Sequence, residues 1–332
     1  MIIEIITRTE HNAPLCIDSA TMTHQATGST SVVPVLDAAL IERLFGQAKA
    51  EYVCNKHTGG VSGKKGTRYE DLFATFTIAS ILADHVSQGG DLPVIEEQAL
   101  GFVDDLAVAH AKWTKYTQCK NSESVSWHSG THPISTDFKC QLDLAAALQK
   151  PNPAVELVVA NQSTAAKLAG EIPPDIAAST TVTHFPYLGG FNRLVMEYEP
   201  VRDKLAALTR TEDPTLDELG SAFGALMIAW IGVTGVCSIE GIMQAARQQS
   251  PQLLRSYPWT SGEQFLRPEL NAALAGVSDL LYTVKRGFFS WACEGCSGTL
   301  TCECDSEEFS RFQQRVIQAK PKHFDDFWSL LP

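Results

Sequence analysis

The chain is short of positive charge: 26 lysines and arginines face 38 aspartates and glutamates, giving a formal net charge of −12 at pH 7. Phosphate binding over a broad surface gains most from a basic face, so this balance excludes indiscriminate coating of nucleic acid and confines any such function to a local basic patch. A secretory leader is not expected either. The apolar start Met1-Ile-Ile-Glu-Ile-Ile-Thr-Arg8 carries Glu4 at once and has neither a basic n-region nor a small-residue cleavage site, so it reads as a first strand. No internal repeat or low-complexity tract interrupts the sequence. The nine cysteines are odd in number and four crowd into one short segment, which excludes the disulfide framework of a small secreted fold and points to the reducing cytoplasm.

What is present describes a globular protein, with 44% hydrophobic and 19% charged residues over a length of 332 that can bury two ordinary cores. One stretch, Gly220 to Ile239, runs without a charge for about the length that crosses a bilayer. It contains four glycines, lacks flanking Lys or Arg and has no second span beside it, so a buried core helix is expected, opened by the capping box Thr215-Leu-Asp-Glu218.

Along the chain, strand-like runs at Ile2–Thr7 and Ser31–Leu36 precede a helix over Leu36–Ala50, and a glycine and lysine loop spans His57–Thr67. Apolar residues at 69, 72, 73, 76, 79 and 82 predict a helix from Arg68 to Ala83, with Glu70 beside its buried face. Pro93 opens a strand through Val94 and Ile95 into Glu96 and Glu97. Gly101–Val108 and Trp113–Lys120 then form a hairpin around His110 and Ala111. A polar loop, a helix over Asp137–Leu148 ended by Lys150-Pro-Asn-Pro153, a buried strand over Val155–Ala160 and a helix over Ser163–Ala169 follow. Beyond the proline pair at 173 and 174 the pattern predicts helices at Asn192–Leu208, Thr215–Gln248, Arg267–Lys285 and Ser306–Ala319. The expected division is therefore an α/β domain over 1–185 and a mostly helical domain over 186–332.

The hairpin carries the chemistry. It sets the acids Asp104 and Asp105 on one strand and Gln118 and Lys120, two apart and so on one face, on the next. A metal-dependent nuclease needs such a group: a carboxylate for a divalent cation, a nearby carbonyl or carboxylate, and a lysine to orient water or steady a scissile phosphate. Neighbours on a strand point to opposite faces, and Asp105 is preferred because Leu106, Ala107 and Val108 continue directly into the core. Glu96 and Glu97 are spare carboxylates one strand earlier. Lys56, Lys64, Lys65 and Arg68 surround the glycines before the Glu70 helix, where they either meet a phosphate chain or form a solvated loop. A P-loop is excluded, because Gly63-Lys64 is followed by Lys65 rather than Ser or Thr. His128 and His132 lack the glutamate of a zinc-protease pair. Cys293-Glu-Gly-Cys296 and Cys302-Glu-Cys304 are spaced to fold around one structural tetrahedral Zn²⁺, pinning a helical hairpin between 285 and 306.

Over roughly residues 60 to 170 the chain resembles the PD-(D/E)XK nuclease superfamily. The resemblance rests on Gly66-Thr-Arg-Tyr-Glu70, on Val103-Asp-Asp-Leu106 and on Tyr116-Thr-Gln-Cys-Lys120, the last similar to the Gln-x-Lys variant of Mrr-type enzymes. It implies a restriction-endonuclease-like mixed sheet flanked by helices, with Glu70, Asp105 and Gln118 holding Mg²⁺ or Mn²⁺ and Lys120 aligning the attacking water. Asn121–Trp127 and the Val155–Ala160 strand look like the nuclease effectors of bacterial anti-phage systems of the CBASS and Lamassu kind. That implies DNA as substrate, and self-assembly or a sensor or ATPase subunit as partner. The alternative is an assembly or DNA-binding subunit that keeps the fold without cutting.

Overall fold

The computed structural model describes residues 36–62, 68–255, 263–293 and 295–332. The two N-terminal strands expected from the sequence lie outside these residues, Leu36 excepted. The helix expected over Leu36–Ala50 is two helices. α1 (Ala38–Phe45) starts where the Asp37 carboxylate accepts from Leu40 N–H, and stops at Gly46, whose φ of +87° suits a residue without Cβ. α2 (Gln47–Ser62) then runs through His57 into the segment expected to be a loop. α3 (Arg68–Gln88) follows, with Tyr69, Leu72, Phe73, Ile78 and Leu82 buried.

Six strands make one mixed sheet. They are β1 (Val94–Glu97), β2 (Leu106–Ala109), β3 (Thr114–Lys120), β4 (Pro153–Val159), β5 (Thr180–His184) and the two-residue β6 (Cys237–Ser238), in the order β5-β4-β3-β2-β1-β6. β1, β2 and β3 are antiparallel, the β2–β3 turn closing with His110 N–H donating to the Trp113 carbonyl. β3, β4 and β5 are parallel, which requires crossovers, and these are α4 (Ile134–Ala147) and α5 (Gln162–Gly170).

Alternation along the strands feeds two apolar layers. Val155, Leu157 and Val159 of β4 pack with Phe138, Ala165 and Leu168 of α4 and α5, whereas Val158, Leu106, Val108 and Cys119 pack with α3 on the other face. The α3 layer continues into α6 (Phe191–Glu197), α7 (Glu199–Leu208), α8 (Leu216–Ile231) and α9 (Ile239–Gln249). The capping box is formed: the Thr215 hydroxyl accepts from Glu218 N–H, and the Glu218 carboxylate accepts from Thr215 N–H. The charge-free stretch is not one helix, however. It covers the end of α8, a turn with Gly235 at a φ of +70°, β6 and the first residue of α9. Among the described residues no helix is long and apolar enough to cross a membrane.

The C-terminal part departs most from expectation. α10 (Pro268–Leu274) ends early, and an antiparallel sheet of β7 (Leu281–Lys285), β8 (Phe288–Cys293) and β9 (Cys296–Glu303) precedes α11 (Glu307–Ala319) and α12 (Phe324–Trp328). Arg286 and Gly287 both have positive φ, +53° and +88°, the requirement of the two-residue turn that matches strand twist. Gly298 is obligatory for another reason: a Cβ there would sit 2.7 Å from the Trp291 ring on the facing strand.

This hairpin overturns the zinc site. Cys293 and Cys296 face each other at the β8–β9 turn, while Cys302 and Cys304 lie at the far end of β9, where Cys304 N–H donates to the Gly287 carbonyl. Cys302 lies six positions beyond Cys296 along the strand, a span of about 20 Å. Cys293, Cys302 and Cys304 are buried in the apolar cluster beneath α11, and Cys296 is exposed. Among the described residues no three His, Cys, Asp or Glu side chains are grouped to hold a metal ion.

Candidate active site

The β2–β3 register pairs Leu106 with Thr117, so the segment leading into β2 runs beside the end of β3. Asp105 Oδ2 accepts from Gln118 Nε2 at 2.5 Å and from Cys119 N–H at 2.7 Å. Of the two adjacent acids it is thus Asp105 that meets the Gln-x-Lys strand. Asp104 turns to the other side, 3.0 Å from the Lys56 ammonium. The bend that presents both acids is held from α4, where buried Gln141 Oε1 accepts from Phe102 N–H and Val103 N–H at 2.8 and 3.2 Å. Gly101 permits that approach, since a Cβ would stand 2.6 Å from the same oxygen.

Glu70, half-buried in the first turn of α3, completes the group. Its carboxyl is pushed up from 4.5 to about 8, first by burial and then by the Asp105 charge, against an opposing pull from Lys120. Asp105 is also raised, by burial and by Asp104, with Lys120, the Cys119 N–H and Lys56 working against the shift. Gln118 and Asp105 are thus in contact, and Glu70 on α3 and Lys120 at the end of β3 lie close enough to Asp105 to act on its charge.

Other residues fall elsewhere. Lys56 is drawn into the site, its Nζ donating to the Phe102 carbonyl at 2.7 Å and to Gln118 Oε1 at 3.2 Å. Arg68 is exposed at the start of α3, and Lys64 and Lys65 lie outside the described residues. Glu96 is raised by burial, with His57 and Lys150 opposing. Two participants had no sequence signal. Gln98, at a φ of +48°, donates through Nε2 to Glu70 Oε2 at 3.3 Å, and its carbonyl meets His57 Nδ1 at 2.8 Å. Gln141 was one polar residue on a predicted helix.

The expected Mg²⁺ or Mn²⁺ site is corrected here. No metal-holding group of acids exists among the described residues, and the donor set is already engaged. Asp105 Oδ2 is taken by two N–H donors, Gln118 turns its amide nitrogen to Asp105 and its oxygen to Lys56, and Asp104 faces the same ammonium. Lys56 and Lys120 offset part of the charge of the three acids.

The Glu70 shift has a signed consequence for stability. Its folded pKa exceeds the ordinary value, so the folded chain binds this proton more tightly and stability falls as pH rises from 4.5 to about 8. Glu70→Gln should flatten urea-unfolding stability across that window; an unchanged slope would refute the shift. No family model, curated protein or solved structure matches the chain.

Proposed function

We propose that the chain is a nuclease of the PD-(D/E)XK kind that hydrolyses phosphodiester bonds in DNA, acting as the effector of a bacterial anti-phage system. The supporting observation is the Asp105–Gln118 contact, with Glu70 and Lys120 near enough to act on the Asp105 charge, in the helix, hairpin and Gln-x-Lys order of that superfamily. The defence role rests on the sequence resemblance.

The side chains suit the reaction. Lys120, half-exposed at the end of β3, draws the phosphate toward the acids and offsets charge that builds on its oxygens. As the water oxygen bonds to phosphorus, its proton passes to Asp105, whose raised pKa makes it the better acceptor. Glu70, protonated at neutral pH, gives its proton to the oxygen that leaves as the P–O bond breaks. Gln118 and Cys119 N–H hold Asp105 in place throughout. Cleavage should accordingly decline as pH rises through about 8, where Glu70 loses its proton.

A subunit that binds without cutting is the second reading, favoured by the closed pairing of Gln118 with both Asp105 and Lys56. One assay separates the two. Supercoiled and linear duplex DNA are incubated with wild type and with Asp105→Asn, and products are followed on gels across pH. Cleavage lost in the variant supports the nuclease; identical products from both, or none from either, sink it.

A further inference from the structure

A second site lies far along the chain from the acids, between the α7–α8 connection and the outer face of the β7–β8–β9 sheet. The cavity there measures about 550 Å³, within the range that holds a small ligand. Its floor follows from strand alternation. Phe289, Trp291 and Cys293 turn into the core, which leaves Ser290 on the opposite face between its register partners Thr283 and Thr299. The Ser290 and Thr299 hydroxyls are 2.9 Å apart, and all three residues line the cavity. A row of hydroxyls across three strands is polar lining of the kind that fixes a ligand's orientation.

The wall supplies charge. At the C-terminal end of α7, Arg286 Nη1 donates to the carbonyls of Ala206, Thr209 and Thr211 at 2.7, 2.8 and 2.6 Å, and Arg255 Nη1 donates to that of Ala207 at 3.2 Å. Burial and the neighbouring Arg286 charge lower the Arg255 guanidinium to about 10. Arg210 is the third of this group and it borders the cavity. Its Nη1 donates to the Leu300 carbonyl at 3.4 Å and its guanidinium lies over the Phe288 ring, while among the described residues its buried Nε and the buried Thr211 hydroxyl have no hydrogen-bond partner. Opposite stands Lys285, paired with Glu212 at 2.7 Å. The lining itself carries Arg210 and Lys285 with one carboxylate, Glu212, while Glu218 also attracts Arg210, and Arg286 and Arg255 stand behind it on backbone carbonyls.

We propose that this cavity binds a small phosphate-bearing molecule, its phosphoryl group on Arg210, Thr211 and Lys285 and its remaining polar groups against the row Thr283, Ser290 and Thr299. Phosphate fits better than carboxylate because its several oxygens match several separate donors, and an anion there relieves the cost of a desolvated guanidinium. The site is independent of the acids at the end of β3.

The probe is inorganic pyrophosphate, titrated by calorimetry into wild type, Arg210→Gln, and the doubly substituted Lys285→Gln, Thr299→Val chain. Lys285 and Thr299 are at the solvent-facing side of the small sheet, so this second variant guards against a mere folding defect in the first. Wild type should bind pyrophosphate at one site and unfold at a higher temperature in its presence. Both variants should bind about 10-fold or more weakly, the loss expected for a charge-assisted contact. Absence of binding by wild type, or equal affinity in the variants, overturns the proposal. So does an equal rise in unfolding temperature with citrate, or with sodium chloride at matched ionic strength.

Discussion

Lys120→Ala is expected to lower DNA cleavage by about 100-fold or more, the scale of losing a charged group aimed at a reacting phosphate. Lys120 ends β3 at the mouth of the acid group, and its charge opposes the upward shift of both Glu70 and Asp105. Removing it takes away the attraction for phosphate and, by the same electrostatics, moves both carboxyl groups to still higher pKa. Whatever cleavage remains should therefore decline at a higher pH than in wild type. This displacement separates a catalytic loss from a folding defect, which would lower activity at every pH without moving the profile. Lys120→Arg keeps the charge and should recover part of the rate. Wild-type cleavage by Lys120→Ala would remove this residue from the mechanism.

The largest effect on stability is expected at Phe185, just beyond β5. Its ring is fully buried and packs against Tyr69, Phe73, Phe76 and Tyr198 at centroid distances of 5.3 to 5.9 Å. Its carbonyl accepts from the Tyr69 hydroxyl at 2.7 Å, next to Glu70 on α3. Phe185→Ala should cost about 3–5 kcal/mol in urea unfolding, since the aromatic cage on α3 cannot collapse into the space without shifting the helix. Because α3 carries Glu70, the variant should also show a smaller pH dependence of stability between 4.5 and about 8. A loss below about 1 kcal/mol would mean that the cage repacks freely.

Features decided by neighbouring residues were legible before the fold. The β2–β3 hairpin, the Val155 strand, the proline stop after α4 and the Thr215–Glu218 cap are each written within a few residues, and the structure has them, although β2 is only Leu106–Ala109 and the two acids expected on that strand precede it. Residues 281–285 form a strand where the sequence predicts helix, because five alternating positions carry little periodicity, although Lys285-Arg286-Gly287 ahead of Phe288 encodes the turn. The cysteine spacing suited a metal knuckle and a β-turn equally, and only the strand lengths decide between them. Within the acid group, the local motif supplied Asp105, Gln118 and Lys120, but the place of Lys56 depends on α2 continuing past it. Gln98 and Gln141 enter through contacts 28 and 39 residues away in sequence, which no local pattern records.

β6 is only two residues long, yet it pairs with β1 through Val94–Ser238 and Ile95–Cys237. Without it β1 would be the outermost strand, presenting a bare row of backbone donors and acceptors to any other chain. A fragment ended near 185 would keep every acid and lysine of the candidate site while opening that edge and stripping α8 and α9 from α3. Its characteristic failure would be self-association through edge pairing, and the two residues at 237 and 238 serve the intact chain as a guard against aggregation.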